Sequence, residues 1–528
     1  MSEKNYIQVI LPLRLEWEPW YISPTELPAG RRVRVNFSGK EYVGVVHRSG
    51  QRPEIDESKV LYINGVAEGL PDIGPRELEF WEFIASYYLC TIGEVYREAY
   101  PSGRTRSEEI HLKETERIRC RISRLEETIE ARAGSKRAKP ELTMEMRDEL
   151  ETLKARLALM ENRCIPDPAR PVTKSGKPVL LKGFMRTERY LEAIRKTRGD
   201  TLILVPTNST GDALAAELGL DGLIRFDSRQ TAHQRMLAAG MLEQPDGRKV
   251  ILGTRTALFL PFRSLSLIIV DEEQDSFYKQ EETAPRYNGR DCAVKLAQIH
   301  GADIILGSSL PSLDSLYNSM AGKFILEDIG NDGSSLPAVE IIDVSSEQKK
   351  HGMVGAFSIK LIETARNWEG PVTLIRGWEN GDDLRKHAET LFPGKEISVL
   401  RYQDAREQDM SGCLVAVMQA DAMVRKDDFR ADERAMQLVC VLAASSGKLV
   451  IQTAVPRRFD GSRTTADLLE ERHRFGFPPY TRLVETRIKG SPEPFRRYFL
   501  KRDSNLPAEK EKIRKNTGPG MIIDVDPQ

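Results

Sequence analysis

Near the amino terminus apolar and polar positions alternate in short bursts: Ile7-Gln8-Val9-Ile10-Leu11, Arg32-Val33-Arg34-Val35-Asn36 and Tyr42-Val43-Gly44-Val45-Val46. A period of two suits strands, and Pro24, Pro28, Gly30 and Gly39 punctuate them, so a small β-rich domain is predicted over residues 1–104. Phe80-Trp81-Glu82-Phe83-Ile84 and Tyr87-Tyr88 have the spacing of a helix packed on that sheet. The period then changes. Ile118, Ile122, Leu125 and Ile129 recur at helical steps, Pro140 interrupts, and Leu150, Leu153, Leu157 and Leu159 resume the pattern within a Glu-, Lys- and Arg-rich background. This predicts an antiparallel helical hairpin over residues 105–165, read as a solvated spacer in preference to an arm that grips DNA or a partner.

Pro166, Pro168 and Pro171 predict a linker. Beyond it, continuous apolar runs alternate with helical patterns: Val179–Leu181, Thr201–Val205, Lys249–Leu252, Leu267–Val270 and Ile304–Leu306. Runs of this kind are strands buried on both faces, so residues 170–330 are predicted to form a parallel, doubly wound sheet. A shorter α/β unit, residues 331–460, has strands at Val372–Ile375, Ile397–Leu400, Leu414–Val417 and Leu449–Ile451, and residues 466–528 close the chain as a small C-terminal domain with a Pro478-Pro479 turn.

Composition adds bounds more than direction. The 528 residues are 40% hydrophobic and 30% charged with a net charge of -1, which argues against a uniformly basic nucleic-acid coat while leaving room for a local basic groove. Met1 to Leu15 lacks the pattern of a signal peptide and no apolar stretch reaches membrane length, so a cytoplasmic location with no membrane partner is expected. The six cysteines are far apart, so neither a disulfide framework nor a zinc module is expected.

The chemistry concentrates where Leu267-Ile268-Ile269-Val270 runs into Asp271-Glu272. Carboxylates at the carboxyl end of a parallel strand sit where such sheets bind ligands, and in a nucleotide hydrolase one holds the Mg²⁺ shell while the next polarises water. Just downstream come Phe277, Tyr278, Lys279, Arg286, Tyr287 and Arg290. Aromatic rings stack on unpaired bases and cations neutralise phosphate, so this loop is a candidate DNA contact.

Gly253–Phe262, the Asp271 run and Gly307–Ser312 together resemble successive motifs of superfamily II helicases. Asp275–Gln280, Arg286-Tyr287 and Arg290-Asp291 are similar in spacing to the aromatic-rich loop of the primosomal replication-restart helicases, the PriA family. Val9–Leu13, Gly30–Val35, Gly44–Val46 and Gly93–Val95 resemble that family's amino-terminal domain. Asp428–Arg430 and Glu433-Arg434 resemble its second helicase lobe, and Glu471-Arg472, Phe475-Gly476, Pro478–Tyr480 and Ile523–Gln528 its carboxyl-terminal domain. The resemblance implies two RecA-like lobes, the second reduced, with a β-rich DNA-binding domain before them and a helical hairpin insertion. It also implies Tyr21 and Lys40 as DNA contacts, Gly183, Arg186, Thr187 and Gln274 as nucleotide contacts, and forked, single-stranded or 3′-ended DNA and primosome proteins as partners.

The chain departs from that family where ATP would be handled. No G-x-x-x-x-G-K-[ST] is present, and the phosphate-loop position reads Lys182-Gly183-Phe184-Met185-Arg186-Thr187-Glu188, with Arg186 in place of Lys. Phe184 and Met185 resist the positive φ angles of a phosphate nest. The arginine-bearing segment of lobe two reads Ala443-Ala444-Ser445-Ser446-Gly447-Lys448, Gln274 replaces a histidine, and the cysteine-rich module expected before Arg376 is missing. The expectation is therefore a fork-binding protein with weak or lost ATPase and helicase activity and no zinc. A working 3′-to-5′ helicase using Thr187, Asp271 and Glu272 on Mg²⁺ with Arg186 on phosphate is the alternative, and a protein-interaction scaffold is the second.

Overall fold

A computed structural model describes residues 5–50, 59–68, 70–100, 104–133, 140–161, 176–242, 248–330, 339–405, 408, 410–423, 428–491, 493–518 and 520–528. The predicted linker prolines lie outside the described residues.

Six strands form the first sheet, in the order Leu61–Tyr62, Trp20–Ser23, Asn5–Ile10, Lys40–Ser49, Arg32–Phe37, Gly65–Val66. Its central ladders are antiparallel, and the Arg32–Phe37 strand turns into Lys40–Ser49 through Ser38 and Gly39, both at positive φ. Ile7, Val9, Val33, Val35 and Val46 fill one face. Helix Pro75–Tyr88 covers the other, with Phe80, Trp81, Ile84 and Tyr88 turned inward at helical spacing.

The helices Arg104–Ala133 and Pro140–Glu161 form the hairpin. Pro140 opens the second one, a position where its missing N–H is harmless. Ile118, Ile122, Leu125 and Leu150 are the buried seam, flanked by Arg121–Glu149 and Lys154–Glu126 ion pairs.

The next sheet is all parallel and seven-stranded, running from Ile325–Gly330 through Val179–Gly183, Asp303–Ser308, Leu265–Val270, Asp200–Leu204 and Val250–Gly253 to Ile224–Phe226. Ile269 sits in register with Ile203 and Ile305, all buried on both faces. A second parallel sheet has the order Val339–Asp343, Ser446–Thr453, Met410–Val417, Val372–Ile375, Ile397–Leu400. Both are parallel α/β units that resemble RecA-like lobes, the second smaller.

The chain ends in a three-stranded antiparallel sheet in which Thr481–Ile488 lies between Pro494–Lys501 and Met521–Val525. One apolar core runs through Ile10, Trp81, Phe259, Tyr287, Val484 and Val525, so the first sheet, the seven-stranded sheet and the C-terminal sheet pack as one body.

Candidate functional site

The carboxyl ends of Val179–Gly183, Leu265–Val270 and Asp303–Ser308 bring Gly183, Asp271 and Ser308 to one edge of the parallel sheet, the place where such sheets bind ligands. Gly183 has φ +146, and a Cβ there would meet Ile329 at 2.4 Å and the Gly330 carbonyl oxygen at 2.8 Å, so only glycine fits. Phe184 and Met185 do not take positive φ, and the backbone forms no phosphate nest.

Arg186 fills that space instead. Its Nε lies 3.1 Å and its Nη2 2.9 Å from Asp271 Oδ1, Nη2 also donates to Glu272 Oε1, and Nη1 donates to the Gly183 carbonyl at 2.6 Å. Tyr190, one turn into helix Thr187–Lys196, adds a hydroxyl donated to Asp271 Oδ1 at 2.7 Å. A Cβ at Gly307 would meet that hydroxyl oxygen at 1.7 Å, so Gly307 admits the ring. Burial alone would depress the Arg186 guanidinium, yet the charges of Asp271 and Glu272 outweigh it and hold the group well above its usual value. Glu272 takes φ +50, an uncommon left-handed backbone that aims its side chain at the guanidinium.

Asp271 and Glu272 have the chemistry to hold Mg²⁺, but their inward oxygens are spent on a fixed cation, and Thr187 turns its hydroxyl away to Glu217 at 2.7 Å. The residues present do not fit a Mg²⁺–nucleotide. Gln274 donates to Glu272 Oε2 at 2.6 Å and accepts from the Ser308 hydroxyl at 2.5 Å, closing the outer side of the box. Across the gap the second α/β unit presents Cys440, whose Sγ is 3.8 Å from Ser309 Oγ, and the half-buried Tyr402. Lys448, at the family's arginine position, is paired with Glu340 at 2.8 Å.

The aromatic loop corrects part of the sequence reading. Tyr278 and Tyr287 are buried, and the Tyr278 hydroxyl lies 2.7 Å from the Asp271 carbonyl oxygen and 2.9 Å from that of Leu204. The Lys279 ammonium is 0% exposed; it pairs with Asp524 at 2.7 Å and donates to the carbonyls of Arg286 and Val525. Arg290 pairs with buried Glu273 at 3.2 Å and with Asp291 at 2.8 Å. These four side chains hold the loop to the Asp271 box and the C-terminal strand, so in this conformation they cannot stack on bases or bind phosphate. Tyr21 is likewise buried and donates to the Asn36 carbonyl at 3.0 Å. Phe277 is 37% exposed, Arg286 half-buried with its N–H groups on the Glu281 and Glu282 carbonyls, and Lys40 exposed at its hairpin tip.

Sequence reasoning missed two features of the first sheet. Trp17 is exposed and its ring lies 6.1 Å from that of Phe37. His47 is clamped between Glu18 Oε2 at 2.7 Å and Glu82 Oε1 at 2.8 Å, a contact among three distant segments with no local signal. Burial opposes the charged imidazole, but both carboxylates outweigh it and raise its pKa.

A family model described as the 3′DNA-binding domain (3′BD) of PriA matches residues 8–101. A curated protein of Rickettsia felis named "Replication restart protein PriA" is 27% identical over 377 residues, covering 67% of this chain and 51% of its own length. The chain is a PriA-like protein. Two further PriA proteins are similar to it. That of Chlamydia pneumoniae is 35% identical over 183 residues (32% of this chain, 24% of that one), and that of Bacillus subtilis is 31% identical over 220 residues (38% and 26%). The PriA-like chain thus spans about half the length of the curated relatives it matches. Among solved structures, RecG bound to a three-way DNA junction bears a loose likeness, 12% identical with a TM-score of 0.37 over 90% of this chain and 72% of that one. No described helix is long and apolar enough to cross a membrane.

Proposed function

We propose that this PriA-like chain binds forked DNA with a free 3′ end in replication restart, and that its helicase core is a scaffold in place of a motor. The observation that carries the second part is Arg186, which bridges Asp271 and Glu272 where a metal-bound nucleotide would have to sit. Losing an arginine that stabilises transferring phosphate costs on the order of 10³–10⁵ in rate, and no guanidinium stands in the Ala443–Lys448 segment. The match at residues 8–101 supports the first part. In this reading residues 1–104 hold the DNA end with Lys40 at the tip of their hairpin, Phe277 and Arg286 contact the strand beside it, and residues 105–165 are a solvated arm. Residues 170–330 and 331–460 are the two lobes, and residues 466–528 the closing domain. Primosome proteins then assemble on the held fork.

Forked DNA with a recessed 3′ end and blunt duplex of equal length are titrated at one stated salt concentration, since phosphate contacts make affinity salt-dependent. Tighter fork binding without DNA-stimulated ATP turnover is expected. Equal, negligible binding of both would sink the fork reading; turnover abolished by Asp271→Ala would sink the scaffold reading.

A further inference from the structure

Away from the loop, the rings of Phe429, Phe477 and Phe475 form a short ladder at the junction of the second α/β unit and the C-terminal sheet. Phe429 and Phe477 have centroids 5.0 Å apart with planes 20° apart, and Phe477 and Phe475 are 6.1 Å and 30° apart. One end is capped, for Arg430 and Arg472 lie over Phe429 at 4.5 and 5.1 Å. The other end is more loosely covered: Phe475 is 60% exposed, with Arg474 over its ring at 5.8 Å. Phe499, 41% exposed on the Pro494–Lys501 strand, flanks the ladder 5.5 Å from Phe477.

A near-parallel stack ending in an exposed ring leaves apolar ring surface in water beside a cation that a base could share or displace. The charge around it selects the occupant. Arg474 lies 5.8 Å over Phe475, and the strand reads Pro-Phe-Arg-Arg-Tyr-Phe-Leu-Lys, with three cations and no acid. Arg497 is neutralised by Glu485 at 2.8 Å, while Lys501 projects on the same side of the pleat as Phe499 and is exposed. That strand is also a sheet edge, where exposed phenylalanines are a hazard unless something covers them. Flat rings interleaved with cations fit unpaired nucleotides, whose bases supply the next plate and whose phosphates meet Arg474 and Lys501. We propose that Phe475 and Phe499, backed by Phe477 and Phe429, form a base-stacking site for single-stranded nucleic acid, separate from the 275–290 loop and independent of any 3′ end.

A closed circular 40-nucleotide pyrimidine single strand is the probe, because it has no end for residues 1–104 to hold. Failure of the fork reading therefore leaves the outcome intact. Fluorescence anisotropy with the full chain at fixed salt is expected to show the circle bound more tightly than a blunt duplex of the same length. Phe475→Ala with Phe499→Ala should weaken circle binding by at least about fivefold, while Phe475→Tyr with Phe499→Tyr stays within about twofold. Both side chains are substantially exposed, so the fold is retained. A 5-iodouracil circle should cross-link within residues 474–501 by mass spectrometry. The proposal is overturned if the parent does not bind the circle, if duplex competes equally, if the alanine pair binds as the parent does, or if cross-links fall elsewhere.

Discussion

Arg186→Ala tests whether the box is closed by an internal cation. The substitution removes donors to Asp271 Oδ1, Glu272 Oε1 and the Gly183 carbonyl at once. Removing one partner of a buried ion pair costs about 3–5 kcal/mol, because the remaining charge stays desolvated. The side chains of Arg186, Asp271 and Glu272 are 8%, 12% and 24% exposed, so water reaches Glu272 and the low end, about 3 kcal/mol, is the better value. For a unit of 150–250 residues that lowers the unfolding midpoint by roughly 6–12 °C. The two freed carboxylates should then attract Mg²⁺. At ten times its dissociation constant the ion returns about 1.4 kcal/mol to the variant and nothing to the parent. Thermal unfolding followed by near-ultraviolet circular dichroism, in EDTA and across a Mg²⁺ series, reads both effects. A variant as stable as the parent, or a parent raised by Mg²⁺ as much as the variant, refutes the reasoning.

Lys279→Met leaves buried Asp524 with only the more distant Arg487, at 3.9 Å, and removes donors to the Arg286 and Val525 carbonyls. It should cost about 3–5 kcal/mol, and limited proteolysis should cut the C-terminal strand before the sheet around Ile203. His47 gives a pH signature: its folded pKa is raised above 6.5 by Glu18 and Glu82 against the opposing effect of burial. The clamp therefore contributes fully below pH 6.5 and is lost as pH rises through the folded pKa. Urea midpoints measured upward from pH 6 should fall across that window in the parent and flatten in His47→Gln. Ile122→Asp places a charge in the hairpin seam and should melt the 104–161 helices by circular dichroism while leaving the main unfolding midpoint unchanged.

The sequence was most legible where local pattern and burial agree. The apolar, β-branched run Leu267–Val270 suits a strand covered on both faces and is one, and the helical spacing of Ile118, Ile122 and Leu125 matches the seam they form. Strands Ile325–Gly330 and Val339–Asp343 escaped notice for the opposite reason: one is a half-exposed edge with acids in it, the other short and mixed, so neither has a clean period. The 275–290 loop shows a deeper limit. Residue type announces that a tyrosine or lysine can contact DNA, but only the packed partners Asp524, Val525 and Leu204, at sequence distances of 74 to 246 residues, show that Tyr278 and Lys279 are committed inside. Arg186 stands out in the sequence as a replacement for lysine, yet its role depends on Glu272 taking a left-handed backbone, which no local pattern encodes.

The closed box and the buried loop belong to one continuous set of contacts. Glu273, next to the Arg186-bound pair, accepts the Ser312 N–H at 2.7 Å and the Ser315 hydroxyl at 2.8 Å and holds Arg290. Ser312 caps the helix whose Leu313 N–H donates to Glu433 of the second α/β unit at 2.9 Å. Glu433 in turn accepts Arg472 at 2.6 Å, and Arg472 reaches the Pro478 carbonyl in the closing domain. A motor must let its two lobes part and return as nucleotide comes and goes, so the groups joining them have to trade partners at small cost. Here Glu433 and Arg472 are buried with each other, and parting the lobes would take the Leu313 N–H from Glu433, while Glu273 fixes the helix that carries it. Lobe contacts that resist opening are costly in an enzyme that must cycle and harmless in a scaffold that must keep its shape, so the Arg186 bridge and the Glu433 junction both favour the proposed scaffold role.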